Sequence, residues 1–258
     1  MTEVVRLFVL LCGYEILRKS ISTQREGERF VISAPICAYL LDTRRGWVLL
    51  DAGYDPDHIG RITDLQAFFD RVGCYPPVVG AEHRLEAQLE AIGVRPADIG
   101  QVVLSHMHND HTGFLKHLKG AEVFVQRREW NFAEGPNVPG SYARSDYQDL
   151  DVTWRLMDGD WALMPGVSLI DTRGHTHGHQ SALIDLPASG RLVLAFDAGD
   201  LQENFDREIL PGALVDEAAA RTSLLRLKAL ANEPGSTLVL FHDSDAVQRM
   251  RLAPDYYE

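Results

Sequence analysis

Three imidazoles and a carboxylate crowd into six residues, His106-Met107-His108-Asn109-Asp110-His111, at the centre of the run from Ser105 to Gly113. The apolar residues Val102, Val103 and Leu104 precede the run, and a short helix capped by Thr112 is expected to follow it. In extended backbone, residues two apart point the same way, so His106 and His108 can converge on one ion. On a helix they would stand on nearly opposite sides, which puts the motif on a loop at a strand end. Asp110 and His111 follow as the loop turns, and they face towards a second ion. Neutral imidazole and carboxylate suit zinc and, less tightly, manganese, iron or cobalt. A purely structural site would be closed by four ligands, often cysteines. Here no cysteine joins the cluster, and more ligand candidates lie downstream.

Those candidates sit at three later strand ends. The first is Asp171-Thr172-Arg173-Gly174-His175-Thr176-His177-Gly178-His179, the second Phe196-Asp197-Ala198-Gly199-Asp200, and the third His242-Asp243. A lone His after a strand is ordinary. Together these supply what a two-metal site lacks: a further imidazole for each ion and a carboxylate to bridge them. Strand ends on one rim are where such scaffolds gather functional side chains. Spacing alone leaves open which of His175, His177 and His179 points inward.

The elements that must position these residues are legible as apolar periodicity. Val4–Ile16 reads as a strand, followed by a polar excursion from Arg18 to Arg29. Ile36–Leu41 and Trp47–Leu50, joined by a turn that includes Gly46, read as a hairpin. The second run ends in Asp51-Ala52-Gly53, a carboxylate at a strand end. Asp57–Val72 predicts a helix on Ile59, Ile62, Leu65 and Phe69, broken by Pro76-Pro77. Glu82–Ile92 predicts a second, stopped by Gly93. Strands are expected at Ile99–Ser105, Glu122–Val125, Thr153–Met157, Val167–Asp171, Ser181–Leu186, Arg191–Ala195 and Thr237–Phe241, and a helix capped by Asp216 runs to about Asn232. Asn131–Gln148, with its Gly, Pro, Tyr142 and Tyr147, reads as a long irregular segment bordering a substrate pocket. Two β-rich halves with helices predict an α/β, αββα sandwich: two mixed sheets packed face to face, helices on the outer faces, in a single domain spanning 1–258.

Composition narrows the function classes. Hydrophobic residues make up 45% of the 258, ordinary for a globular chain, and no apolar run approaches a membrane span. Formal charge is -12 with no basic run, which argues against nucleic acid as a partner. Cys12, Cys37 and Cys74 show no paired spacing, and the N-terminus lacks a basic cluster and cleavage site, so a reducing cytoplasm is expected.

His106-x-His108-x-Asp110-His111, Gly174-His175-Thr176-x-Gly178-His179-Gln180-Ser181, Asp197 and His242 resemble the metallo-β-lactamase superfamily. The branch most similar is the N-acyl-homoserine lactone lactonases. The resemblance runs from Asp51-Ala52-Gly53 to Pro254-Asp255-Tyr256-Tyr257 and includes Glu203-Asn204-Phe205. It implies one Zn2+ on His106, His108 and His175, a second on Asp110, His111 and His242, and Asp197 bridging both. It also implies that Asp51 orients a ligand through a hydrogen bond, that His179 is structural and that His177 is exposed. The activity implied is hydrolysis of an ester bond, the opening of an N-acyl-homoserine lactone (quorum quenching) or a related small lactone by metal-bound hydroxide. Other esters, thioesters or phosphoesters are the alternative, and iron-dependent redox chemistry on this scaffold a more distant one. Asp110 is the ligand placed to relay a proton. Two positions depart from the branch. Asp200 stands where a tyrosine typically supports the substrate, and can act only if protonated or if it recognises a donor. Asn109 stands where a Phe often meets the acyl chain. The partner implied is a small lactone or ester, with self-association left open.

Overall fold

The structure, a computed structural model, describes residues 2–59, 63–72 and 74–258. Its first half is β1 (Val4–Arg18), α1 (Lys19–Ser22), β2 (Val31–Thr43), β3 (Gly46–Leu50), α2 (Thr63–Val72), β4 (Tyr75–Val78), α3 (Leu85–Ala91), β5 (Ile99–Val103), α4 (Asn109–Thr112), β6 (Glu122–Gln126), α5 (Arg127–Ala133) and β7 (Thr153–Met157). The second half is β8 (Trp161–Met164), β9 (Val167–Asp171), β10 (Gln180–Leu186), β11 (Gly190–Leu194), α6 (Gln202–Arg207), α7 (Glu217–Ala231), β12 (Ser236–Val239) and α8 (Ser244–Val247). A seven-stranded sheet takes the order β4-β1-β2-β3-β5-β6-β7, and a five-stranded sheet the order β12-β11-β10-β9-β8.

Both sheets are mixed, as expected. β1 to β3 form antiparallel ladders, while β3, β5, β6 and β7 pair in parallel. In the second sheet only β11 and β12 are parallel. The middle of β2, Ala34 to Leu41, is buried without interruption because both faces of its sheet are covered. One core cluster holds Leu10, Leu40, Leu49 and Val102 from the first sheet together with Leu169, Ala182 and Ile184 from the second. α7 lies on β11 and β12, and α3 on β1. Asp216 caps α7 as expected, accepting from the Ala219 amide at 3.0 Å. Among the described residues, no helix is long and apolar enough to cross a membrane.

Several local expectations need correction. The excursion after Arg18 is not simply exposed: it contains α1, and Ser22 and Thr23 are buried. The backbone of Gly212 reaches Ile21 and that of Gln24 reaches Leu210, so a distant segment covers it. The expected helix from Asp57 is a 3-10 turn (Pro56–His58) and then α2 from Thr63. Ile62 and the side chain of Leu65 lie outside the described residues. Pro76 and Pro77 sit within β4, which tolerates them because it is an edge strand. The helix expected from Glu82 starts at Leu85, and β8 was not anticipated, being only four residues long. The segment expected to be irregular from Asn131 begins inside α5. Thr112 ends α4 rather than capping a later helix, and its hydroxyl donates back to the His108 carbonyl at 3.2 Å.

The end of β3 is stitched to the motif. Ala52 N donates to His111 O (2.8 Å), Gly113 N to Gly53 O (2.8 Å) and Phe114 N to Ala52 O (3.0 Å). Gly113 is forced by proximity: a Cβ there would lie 2.0 Å from the Asp55 amide nitrogen. Gly113→Ala must therefore push the two backbones apart. We expect it to lower unfolding stability by about 1–3 kcal/mol, measured by denaturant titration. An unchanged midpoint would show that the contact relaxes freely.

Candidate metal centre

Every residue of the sequence motif lands on one rim. His106 and His108 leave β5, His175 follows β9, Asp197 follows β11 and His242 follows β12. Two groups form: His106, His108, His175 and Asp197, then Asp110, His111, His242 and again Asp197, each with ligand atoms within 4.8 Å of one another. In the first group, His108 Nδ1 lies 2.9 Å from His106 Nε2 and 3.1 Å from His175 Nε2. Asp197 stands between the groups. Its Oδ2 is 3.3 Å from His175 Nε2 and 3.4 Å from His242 Nε2, and its Oδ1 is 3.4 Å from His111 Nε2. Asp110 Oδ2 lies 3.1 Å from His111 Nε2 and 3.7 Å from His242 Nε2.

The outward ring nitrogens decide which inward atoms carry lone pairs. His111 Nδ1 donates to Asp51 Oδ2 at 2.7 Å, His175 Nδ1 to the Ala213 carbonyl at 2.8 Å, and His242 Nδ1 to the Pro35 carbonyl at 2.9 Å. Those acceptors have no proton to give, so each neutral ring turns a bare Nε2 inward. Ser105 Oγ donates to Asp51 Oδ2 at 2.8 Å and can accept from His106 Nδ1 at 3.0 Å, with the same result. Inward, His111 Nε2 and Asp197 Oδ1 are buried without a hydrogen-bond partner. Convergent lone pairs and orphaned ligand atoms fit a pair of transition-metal ions, and the donor set of imidazole and carboxylate suits zinc.

Electrostatics divides the cluster in the same way. Burial drives His106 and His108 down, His108 to about 3, and neighbouring imidazoles add to the fall. At the other pole, burial pulls His242 down, but Asp197 and then Asp200 and Glu15 outweigh it and raise it to about 10. His111 is raised too, by Asp110, Asp197 and Asp51 against its burial. The carboxylates there demand a positive charge nearby.

The run around His175 resolves by geometry. Gly174 has φ +134, and a Cβ would strike the Ala220 amide at 2.2 Å, so only glycine lets His175 approach under α7. His177 is exposed and packs on Phe132, ring centroids 4.2 Å apart. His179 is buried with both nitrogens occupied: Nε2 accepts from the Asp197 amide (3.2 Å) and Nδ1 reaches the Thr172 carbonyl (3.1 Å).

Asp51 is fully buried at φ +57, and its carboxylate also accepts from the Ser105 amide at 2.7 Å. Burial pushes its carboxyl up, while His111 and Ser105 pull it back down. Glu129, which the sequence reading missed, is fully buried in α5. It accepts from the Met107 amide (3.1 Å), the Tyr142 hydroxyl (2.9 Å) and the Gly178 amide (2.9 Å), joining both histidine loops. Nothing in its local sequence marks it, since its partners are up to 49 residues away. Gln180 does similar work between the sheets, its Nε2 donating to the Leu104 carbonyl at 2.8 Å. A third group, Asp55, His58 and Asp146, is tied by an ion pair to Lys116, and Asp146 accepts from Thr112 at 3.1 Å. It braces the turn after the motif.

A cavity of about 470 Å³ opens onto the cluster. Asn109 and Asp200 line it, and both are buried with an atom lacking a hydrogen-bond partner, Nδ2 and Oδ1 respectively. Arg207, the arginine nearest to Asp200 in sequence, pairs with Glu26 at 2.9 Å. Burial, with Asp197 adding, raises Asp200 to about 6 against the pull of His242. Glu15, on β1, is a second wall carboxylate that sequence reading passed over inside an apolar strand. Tyr142 and Tyr147 are not placed as a pocket wall. Tyr142 meets the edge of His108 with centroids 4.9 Å apart, and the Tyr147 hydroxyl donates to Ala133 O at 3.0 Å. From that segment the wall takes Pro139 and Ser141.

The profile of the metallo-beta-lactamase superfamily matches residues 35–242, which hold all seven clustered side chains. The chain belongs to the metallo-beta-lactamase superfamily. Within that superfamily it is 31% identical to N-acyl homoserine lactonase AttM of Azorhizobium caulinodans over 269 residues, 98% of this chain and 99% of the relative. It is 30% identical to the AttM lactonase of Agrobacterium fabrum, covering 98% of each. A solved N-acyl homoserine lactone hydrolase, with N-hexanoyl-L-homoserine at its catalytic metal centre, superposes with a TM-score of 0.88 at 28% identity over the whole of both chains. This superfamily member therefore sits among the lactonases in both sequence and shape.

If the inward lone pairs decide ligation, His175→Ala should lose about half of the bound metal, while His177→Ala keeps all of it. Metal analysis of the two purified variants checks this. The reverse pattern would overturn the reading of the loop.

Proposed function

We propose that this chain is a lactone hydrolase that opens the ring of N-acyl-homoserine lactones at a dinuclear zinc centre. One ion would be held by His106, His108 and His175, the other by Asp110, His111 and His242, with Asp197 shared. The observation that carries this reading is the shared Asp197 between two groups of inward-facing lone pairs, at the floor of a cavity with an apolar wall. Ions bound there would supply an acidified water and a polarised ester carbonyl. The names of its relatives supply the substrate class.

The remaining work falls to the chain's own side chains. Asp110 lies beside His111 and His242 and faces the cavity, so it can accept and relay a proton from the attacking water. Asp200 occupies the position where the branch typically carries tyrosine. Its unpartnered Oδ1, once protonated, donates to the oxygen that leaves as the ring opens. Asn109 Nδ2, also unpartnered, serves an acceptor on the substrate. Tyr142 and Glu129 hold the histidine loops still and leave the substrate to others.

The purified protein should carry about two metal ions per chain, zinc restoring the lactonase activity that a chelator removes. Assay on a lactone, an acyclic ester and a phosphoester should favour the lactone. Full activity in a metal-free preparation, or hydrolysis of the phosphoester alone, would sink the proposal. With Asp200 as proton donor, Asp200→Asn should lower kcat on acyl lactones roughly a hundredfold, while Asp200→Tyr keeps a neutral donor and retains most activity. An Asn variant as fast as the parent would remove Asp200 from the chemistry.

A further inference from the structure

Glu15 is the one wall carboxylate with no task in the reaction just described. Among the described residues it has no hydrogen-bond or ion-pair partner. The cations that follow it in the chain are engaged elsewhere or turned outward: Lys19 pairs with Glu203, and Arg18 is exposed at the rim. It faces the cavity because of an irregularity in β1. Leu11 pairs with Cys37 but Gly13 pairs with Ile36, so β1 carries one extra residue at that point. A one-residue shift turns over the face on which every later side chain stands. Glu15 and Leu17 thereby come to the cavity wall together.

The wall is ordered by polarity. Glu15 is within electrostatic reach of Asp110, His242 and Asp197. Leu17, two residues and roughly 7 Å further along the strand, starts an apolar surface continued by Ile21, Phe69 and Leu214. An N-acyl amino lactone has the same order: ring ester, then N–H, then acyl chain. Its ester and amide oxygens are acceptors only, and the amide N–H is its one hydrogen-bond donor. An oxygen of the Glu15 carboxyl that carries no proton, present in either protonation state, has just that group from which to accept.

We propose that Glu15 is a specificity-determining residue that accepts a hydrogen bond from the N–H beside the lactone ring. This rests on the lactonase reading above and assigns the substrate class more closely: lactones bearing an N–H donor next to the ring. Asp200, which follows β11 of the other sheet, then attends to the leaving oxygen, and the two carboxyl groups divide the substrate between them.

The test compares an N-acyl amino lactone with its analogue carrying a methylene in place of the N–H, at equal chain length. The parent protein should prefer the N–H lactone by about tenfold or more in kcat/KM. Glu15→Leu should bring the two substrates to within about twofold, and Glu15→Gln, which keeps an acceptor oxygen, should fall between. Metal content and the melting temperature of each variant show whether the centre survives the change. Should the Leu variant fail to fold, Glu15→Met, which also lacks an acceptor oxygen, decides, since an undiminished preference there overturns the assignment. Equal use of both lactones by the parent, or a preference that persists in the Leu variant, overturns it while leaving the lactonase reading intact. Hydrolysis of neither lactone defeats both readings together.

Discussion

The site depends on one buried carboxylate. Asp51 sits in the left-handed region of backbone space, where a non-glycine residue costs energy, with no solvent to satisfy its charge. Its three partners come from the two ends of the histidine loop: Ser105 through both amide and hydroxyl, and His111 through Nδ1. These bonds set the tautomer of His111 directly and that of His106 through Ser105. An aspartate removed from water is tolerable only when it is fully hydrogen-bonded, and each bond that satisfies it also aims a ring.

The same logic extends outward. Buried imidazoles and carboxylates lose hydration, and that loss is offset only if the inward atoms find cations and the outward atoms find protein. The outward half is visible throughout: Ala213 and Pro35 carbonyls for His175 and His242, and Glu129 for the backbone of both loops. Phe196, also at positive φ, turns the chain so that Asp197 stands between the two groups. Strain therefore collects at two residues on the rim, Asp51 and Phe196, held by the packing of both sheets.

The cavity differs from the metal cluster in how tightly it is constrained. The cluster has little freedom, since His106, His111, His175 and His242 are hydrogen-bonded from behind and His108 packs on Tyr142. The wall carries polar groups that lack a partner among the described residues: Asp200 Oδ1, Asn109 Nδ2 and the Glu15 carboxyl. On the function proposed above, the hydrolytic chemistry belongs to the first set and substrate choice to the second. Two of these wall positions, Asp200 and Asn109, are those at which the sequence departs from the lactonase pattern.

Leaving aside the choice of His175, the sequence by itself determined which His and Asp side chains would cluster, their order along the chain and the mixed two-sheet fold. Short-range spacing and apolar runs before each ligand carry that information locally. Most strands were legible because continuous Val, Leu and Ile runs report burial on both faces. β8 was missed because four residues are too few to show a period, and the segment after Arg18 was misjudged because what buries it lies near Leu210. Three things were decided only by the tertiary structure. His175 rather than His177 or His179 turns a free nitrogen inward, because backbone groups from Asp197 and Thr172 occupy both nitrogens of His179. Glu129 becomes a hub because residues distant in sequence bring it three donors. Glu15 reaches the cavity because one extra residue in β1 reverses the face of the strand, a change of register that pairing with β2 reveals and the composition of β1 does not.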